Sequence, residues 1–302
     1  MAQPWRKLGR VLQASGTALS RSHVMLPTPL VMADRVRVFY ASCDEHLRGR
    51  VFFADFATEP PFALLATNPK PVFDVGPVGS FDCDGVNPSQ VLETNEGLAL
   101  LYIGWRRGPA AEPYTLFAGL AWSRDCGMSF ARRPEPILPP RPGERLFRTA
   151  PFIDRDEKGY RLFYIGGDTF VDGDFGRRTP VYSLMEQRGD SLLKWDGPAR
   201  PLMSPDLAAG EVGFGRPVVT PDRRLMVSLR TRAGYRLFET DLDFLPQSRS
   251  VLTPVIPPPF EAWEAEMTCF GAPCVVGANE LLFYNGDGYG RTGMGLAWRP
   301  LS

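Results

Sequence analysis

The stretch LLFYNGDGYGRTGMGLAW, residues 281–298, decides how this chain folds. An apolar run ends at Tyr284. A loop of glycines with one acid, one tyrosine and one arginine follows, and a second apolar run closes in Gly-Leu-Ala-Trp. The same plan occurs earlier, as LLYIGWRRG from Leu100 followed by FAGLAWS from Phe117. β-Branched and aromatic runs bounded by turn residues read as strands. A strand, polar loop and strand written twice point to an internal repeat, which is sought before any single motif.

Five segments share the plan. They are LPTPLVMADRVRVFYASCDEHLRGRVFFADF from Leu26, NPSQVLETNEGLALLYIGW from Asn87, APFIDRDEKGYRLFYIGGD from Ala150, RPVVTPDRRLMVSLRTRAGYRLFETDLD from Arg216, and APCVVGANELLFYNGDGYGRTGMGLAW from Ala272. Aligned prolines are Pro29, Pro88, Pro151, Pro217 and Pro273. Inner strands are expected to start near residues 26, 87, 150, 216 and 272. A fourth element follows four of the segments: FALLATNPKPVF, FARRPEPIL, WDGPARPLM and PQSRSVLTPVI. None follows the fifth, yet WRKLGRVLQ at the N-terminus fits, with Trp5 to Leu12 spaced as Trp195 to Leu202 are. The expectation is an all-β chain, one domain over residues 1–302, folded as a five-bladed β-propeller whose ring is closed by an N-terminal strand pairing into the last blade. A two-domain β-sandwich is the alternative.

Composition bounds the function. Lys plus Arg and Asp plus Glu number 34 each, so the formal charge is zero and nothing overall points to nucleic acid or an anionic membrane. The five cysteines, Cys43, Cys83, Cys126, Cys269 and Cys274, are odd in number and lack C-x-x-C spacing, which reads as reduced thiols. No signal-like apolar core opens the sequence and no 18-residue apolar run occurs. A cytoplasmic monomer is expected. GYGRTG matches G-x-G-x-x-G, but a strand follows it, so the phosphate-cradling helix is missing. With His23 and His46 alone and no cysteine pair near them, no zinc site is expected.

Polar residues around the aligned prolines should converge on the axis. Blade by blade these are His23 and Thr28; Asp82, Asp84 and Asn87; Arg148 and Thr149; Glu211 and Arg216; Glu264 and Glu266. Loops after the second strands add Asp44, Asp168, Asn285, Asp287, Tyr289 and Arg291. Acids and arginines facing one another across a concavity, with an aromatic ring, suit a polyhydroxylated ligand. The bland readings are that Asp82 and Asp84 cap a turn, that Glu266 belongs to a solvated acidic loop in EAWEAEMT, that His23 is a satisfied structural residue, that Arg148 and Arg216 are structural ion-pair partners, and that the residues from Asn285 to Arg291 shape a hairpin.

The strings DGVNPS…LLYIGW, AP…YRLFYIGG, GRPVV and EM…LLFYNGDGYGRTGMGLA resemble the five-bladed propeller glycoside hydrolases, families 43, 32, 68 and 130, and their relatives in sugar-biosynthesis clusters. The resemblance spans almost the whole chain. It implies inward carboxylates from different blades serving as nucleophile or base, as acid and as positioning group. Glycosidases need two carboxyl groups flanking the scissile bond, and Asp84 and Glu266 are the candidates, with Asp82 as substitute for Asp84. His23, Asp44, Asp82, Arg148, Arg216, Asn285, Asp287, Tyr289 and Arg291 are the candidate substrate-binding residues. His23 stands where those families carry the first blade's aspartate. The function implied is cleavage or transfer of a glycosyl unit of a small intracellular glycoside or activated sugar. A non-catalytic glycan- or metabolite-binding propeller is the alternative, and a protein scaffold a third. No cofactor is expected; an axial Ca²⁺ would match some relatives, but no ligand set for it is legible.

Overall fold

The computed structural model describes residues 3–173, 178–242 and 252–301. Almost all regular structure is antiparallel β, and each of the five repeat segments folds as a sheet unit of its own. After β1 (Arg6–Leu12), the first unit is β2 (Ser22–Val31), β3 (Val36–Cys43), β4 (Gly49–Phe56) and β5 (Leu64–Thr67), paired in that order. The second is β6 (Gly85–Thr94), β7 (Gly97–Arg107), β8 (Tyr114–Ser123) and β9 (Ala131–Arg132). The third is β10 (Phe147–Asp156), β11 (Gly159–Asp172), β12 (Arg178–Gly189) and β13 (Ala199–Met203). A short parallel contact, Phe147 to Leu116 and Arg148 to Phe117, joins the second and third units into one hydrogen-bonded sheet.

In the fourth unit the first strand is split into β14 (Glu211–Phe214) and β15 (Val218–Val219), both pairing with β16 (Arg224–Thr231). β17 (Gly234–Asp241) and β18 (Thr253–Pro254) complete it. The expected fourth element at 246–256 lies partly outside the described residues. The fifth unit is β19 (Cys269–Val276), β20 (Asn279–Asn285) and β21 (Met294–Pro300), and its outer strand is β1, with Arg6 opposite Trp298 and Leu12 opposite Met294. The N-terminal segment thus supplies the strand that the C-terminal segment lacks.

The sheets pack face to face, because each is apolar on both faces. All eight residues of β3 and all eight of β4 are buried. Leu30, Phe39 and Val51 of the first unit pack with Val86, Leu100 and Tyr102 of the second. Leu101 and Leu120 meet Leu162 and Tyr164 of the third, and Phe163 and Leu184 meet Leu225 and Val227 of the fourth. Met226 and Leu237 meet Leu282 and Tyr284 of the fifth, and Leu281 and Phe283 meet Val38 and Phe52 of the first.

The first strands lie beside one another, and four of them break register at matching places. The breaks fall between Met25 and Thr28, Pro88 and Gln90, Thr149 and Phe152, and Cys269 and Ala272. Such β-bulges bend a strand and re-aim its side chains. The residues after the breaks match in partner: Thr28, Phe152 and Ala272 face Phe39, Phe163 and Phe283, and Gln90 faces Leu101. Pro29, Pro88, Pro151 and Pro273 therefore fall before, within or after the breaks; the repeat is registered by the bulge and not by proline itself.

In the fourth unit the strand is interrupted between Phe214 and Val218, and Arg216 occupies the gap. Its guanidinium is fully buried and donates to the carbonyls of Pro27, Ser89, Phe270 and Gly271 and to Thr28 Oγ1, at 2.8–3.3 Å. Ser89 Oγ in turn donates to Pro151 O at 2.8 Å. Residues at the bulges of the other four units are thus tied into one network with Arg216, the third through Ser89. Burial pushes the Arg216 pKa down to about 9, which leaves it a cation at neutral pH. Arg216→Met would strip several buried carbonyls of their donor at about 1–3 kcal/mol each, partly offset by removal of a desolvated charge. A net loss of about 3 kcal/mol or more is expected in urea unfolding. Arg216→Lys should recover little of it, since one ammonium cannot reproduce the planar fork.

Candidate functional site at the start of the first strands

Register fixes which loops share an end. Ser22 faces Cys43, Gly85 faces Trp105, Phe147 faces Gly167, Glu211 faces Thr231 and Cys269 faces Asn285. The segments entering the first strands therefore lie at the same end as the loops leaving the second strands. His23, Asp82, Asp84, Arg148, Glu266, Asp44 and the loop from Asn285 to Arg291 all belong to this end. Arg216 lies deeper, on the line where the first strands meet.

Most of the candidate polar groups are engaged in holding the fold. Asp82 is fully buried, accepting from Tyr102 Oη at 2.9 Å, from Ser80 Oγ at 2.6 Å and from Arg132 Nε at 3.1 Å. Asp44 is buried, and burial alone would raise its pKa. The Arg48 backbone N–H and the Arg50 and Arg48 guanidiniums outweigh that and hold it at about 2. Arg148 turns toward Glu144, Gln187 Oε1 and the carbonyl of Pro139. Asn285 accepts from Leu26 N at 2.8 Å and donates to Val24 O, which stitches the end of β20 to the bulged part of β2. Gly290 makes room for that stitch: at φ +89°, a Cβ there would lie 2.5 Å from Val24 O. Asp287 Oδ1 accepts from Glu266 N at 2.9 Å and Met267 N at 2.7 Å, so it fixes the loop that carries Glu266.

Three candidate carboxylates are lightly engaged, the first being half-buried Asp168, which accepts from Thr169 Oγ1 at 3.2 Å. Asp84 is half-buried and accepts from Arg107 N at 2.9 Å, with the Cys83 thiol at 3.6 Å. Glu266 is exposed, and among the described residues no hydrogen bond or ion pair engages its carboxylate.

From the neighbourhood of Asp84 to that of Glu266 runs a set of aromatic side chains, of which only Tyr289 was among the sequence-derived candidates. Trp105, at the β7 end beside Asp84, packs on Tyr114 with ring centroids 4.7 Å apart. Tyr114 Oη lies 3.3 Å from Tyr182 Oη. Arg230, at the β16 end, stands 5.6 Å over the Tyr235 ring and donates to Tyr289 Oη at 3.0 Å. Tyr289 N approaches Met267 Sδ, next to Glu266. Tyr289 also holds φ +62°, a left-handed conformation that costs a tyrosine about 1 kcal/mol or more. One signal was available: Tyr114, Tyr182 and Tyr235 all sit in the first few residues of a third strand.

His23 is buried and also at positive φ, with Nδ1 2.9 Å from Ser22 Oγ. Burial, and then the nearby Arg291 cation, lowers its pKa to about 4, so it is neutral at pH 7. Its folded-state pKa lies below the unfolded value of about 6.5. The unfolded chain therefore binds the extra proton as pH falls from about 6.5 to 4, and stability is lost through that window. His23→Gln should flatten this part of the stability–pH curve, and the His23 imidazole NMR shifts should not move above pH 5.

A cavity of about 940 Å³ opens at the opposite end of the first strands and has Arg216 in its lining. Of its acids, Asp154 is bonded to Arg223 at 2.7 Å, while Glu93 and Glu96 stand exposed around the β6–β7 turn. Among the described residues no cluster of three His, Cys, Asp or Glu side chains is placed to hold a metal ion, and no helix is long and apolar enough to cross a membrane.

No family model matches the chain. Two curated relatives, the uncharacterized proteins MT1551 and Rv1502 of two Mycobacterium tuberculosis strains, are each 27% identical over 304 residues, covering 97% of this chain and 98% of the relative. Among solved structures, BT0996 in an RGII complex superposes with a TM-score of 0.70 at 15% identity, over 98% of this chain and 92% of that one. A protein described under the GH130 family of mannoside phosphorylases and glycoside hydrolases that target β-1,2 mannosidic linkages gives 0.64 at 13% identity, over 99% and 94%. A thermostable family-43 glycoside hydrolase gives 0.62 at 12%, over 95% and 91%. The chain has the fold of these glycoside hydrolases.

Proposed function

We propose that the five units close into a five-bladed propeller and that the chain is a carbohydrate-active enzyme, cleaving or transferring a glycosyl unit between Asp84 and Glu266. The observation that carries this is one of degree: Asp44 and Asp82 are bound by arginines and Asp287 by two backbone N–H groups, whereas Asp84 accepts one backbone N–H, Asp168 only the Thr169 hydroxyl, and Glu266 nothing among the described residues. In support of the ring, each unit packs on the next and the fifth on the first.

In the reaction one carboxylic acid protonates the leaving-group oxygen, and the other carboxylate activates water or attacks the anomeric carbon. Tyr289, Tyr114 and Trp105 offer ring faces for the sugar. Asp287 positions Glu266 through the backbone of its loop. The reaction needs no cofactor, and this reading assigns the place of an axial Ca²⁺ to the Arg216 guanidinium. The substrate is a small glycoside or activated sugar, and the five free cysteines fit a reducing compartment such as the cytoplasm.

The test is a screen of the full chain against aryl glycosides and nucleotide sugars. Turnover that Asp84→Asn and Glu266→Gln both remove supports the assignment; turnover untouched by either removes that residue from it. A second reading, a propeller that binds glycans without cleaving them, is favoured by one observation. The first unit brings a neutral imidazole, His23, where the resemblance would put a carboxylate. A ligand that binds and is recovered intact would decide for it.

A further inference from the structure

Among the described residues no acid pairs with Arg230. It is half-buried at the end of β16, and the groups acting on it are phenols, those of Tyr235, Tyr289, Tyr182 and Tyr114. Burial pushes the pKa values of Tyr235, Tyr182 and Tyr114 up, so at neutral pH these hydroxyls are uncharged and supply no phenolate. A desolvated arginine without a counter-charge is costly, and natural sites retain one where a ligand supplies the charge. The guanidinium also faces space: a cleft of about 60 Å³, lined by Arg230, Arg232, Thr231, Thr179, Tyr289 and Asp172 among others. That is room for one small group, not for a sugar ring. Arg232 is exposed, and Asp172 is turned to Arg178 at 2.6 Å. The strained Tyr289 sets its hydroxyl on Arg230 at the lip, next to the loop that carries Glu266.

We propose that this cleft recognises an anionic substituent, a carboxylate or a phosphate, on the glycosyl ligand, with Arg230 as the principal contact and Arg232 and the Tyr289 hydroxyl beside it. The inference rests on the glycoside reading above and narrows it from sugars in general to acidic or phosphorylated ones. A planar guanidinium with donors in a fork suits either group, and the choice between them is read from the probes.

The test is isothermal titration calorimetry of the full chain with inorganic phosphate, glucuronate, glucose 6-phosphate and glucose. Phosphate and the two charged sugars are expected to bind, more weakly as salt rises, and glucose to bind less tightly than either charged sugar. The tighter of glucuronate and glucose 6-phosphate identifies the group. Arg230→Gln should weaken the charged probes by roughly ten- to a hundredfold, the worth of a charge-assisted contact, and glucose by much less. Arg230→Lys should recover part of the loss. Should Arg230→Gln lose its far-UV circular dichroism, Tyr289→Phe, which removes one hydroxyl, and the charged-against-neutral contrast in the parent carry the test. Equal affinity for charged and neutral sugars, or wild-type affinity for the charged probes in Arg230→Gln, overturns the inference. Turnover of glycosides together with wild-type affinity for the charged probes in Arg230→Gln overturns it while sparing the enzymatic reading. Binding of charged sugars through Arg230 with every glycoside left intact supports it and overturns the enzymatic reading alone.

Discussion

A chain lacking residues 1–14 should not fold cooperatively. The deletion removes β1 and exposes the hydrogen-bonding edge of β21, from Met294 to Trp298, to solvent and to other chains. It also removes Lys7, whose ammonium pairs with the fully buried Glu264 carboxylate. Tyr284 Oη still donates to Glu264 at 2.7 Å, but a buried carboxylate that loses its cation costs about 3–5 kcal/mol. Leu12, buried in the cluster shared by the first and last units, adds about 1.5–3 kcal/mol. Together these consume most of the roughly 5–15 kcal/mol by which folded domains are stable. Thermal unfolding and size-exclusion chromatography of the truncated chain should show a broad or absent transition and aggregation. Lys7→Met alone should retain a cooperative transition at lower temperature. A truncated chain that melts within a few degrees of the parent would mean that β1 contributes little to closure.

Asp84→Asn and Glu266→Gln should each lower turnover by at least about 10²-fold, and by up to about 10⁴-fold, with the fold unchanged. The amides are nearly isosteric, so packing survives, but they neither carry an anionic charge nor donate a carboxylic proton. General acid–base catalysis is worth roughly 10²- to 10⁴-fold. Asp84 accepts from the Arg107 backbone N–H, and an asparagine in its place could present its amide oxygen to the same donor, which keeps the stability cost small. For Glu266 no such bond exists to lose among the described residues. Asp287→Asn is expected to act differently. It leaves the Glu266 carboxyl in place but weakens the two backbone contacts that hold its loop, so a smaller loss accompanied by a changed KM would show positioning. Initial-rate kinetics and far-UV circular dichroism of the three variants separate these cases.

Much of this architecture was legible because the repeat is written in local chemistry. Gly-Leu-Ala-Trp after a polar loop marks the third strand in two units, and the missing fourth strand at the C-terminus pointed to the N-terminus for its replacement, where β1 lies. The alignment on proline was less sound. Proline is tolerated at a bulge because its missing N–H is not needed there, but a bulge offers more than one such position, so Pro29, Pro88, Pro151 and Pro273 straddle it.

Side-chain roles were harder to read. Arg148 and Arg216 look alike in sequence, each just before a proline-bearing segment. One turns outward to Glu144 and Gln187; the other reaches carbonyls of the first, second and fifth units. Those acceptors are backbone atoms more than fifty residues away, and no side-chain pattern announces them. The aromatic arc was missed for a related reason. Tyr114, Tyr182 and Tyr235 sit on third strands, and only the packing of the sheets reveals that three such starts and Arg230 meet.

The most direct measurement is a crystal structure of the chain soaked with a glycoside that binds it. The account predicts a sugar ring between the Asp84 and Glu266 carboxylates, against Trp105, Tyr114 and Tyr289, with any charged substituent toward Arg230. The separation of the two carboxyl groups would then give the stereochemistry, about 5 Å for retention and roughly 6.5–9.5 Å for inversion. A sugar seated instead in the large cavity at the opposite end, near Arg155 and Thr220, or at a place touching neither carboxylate, would contradict the account.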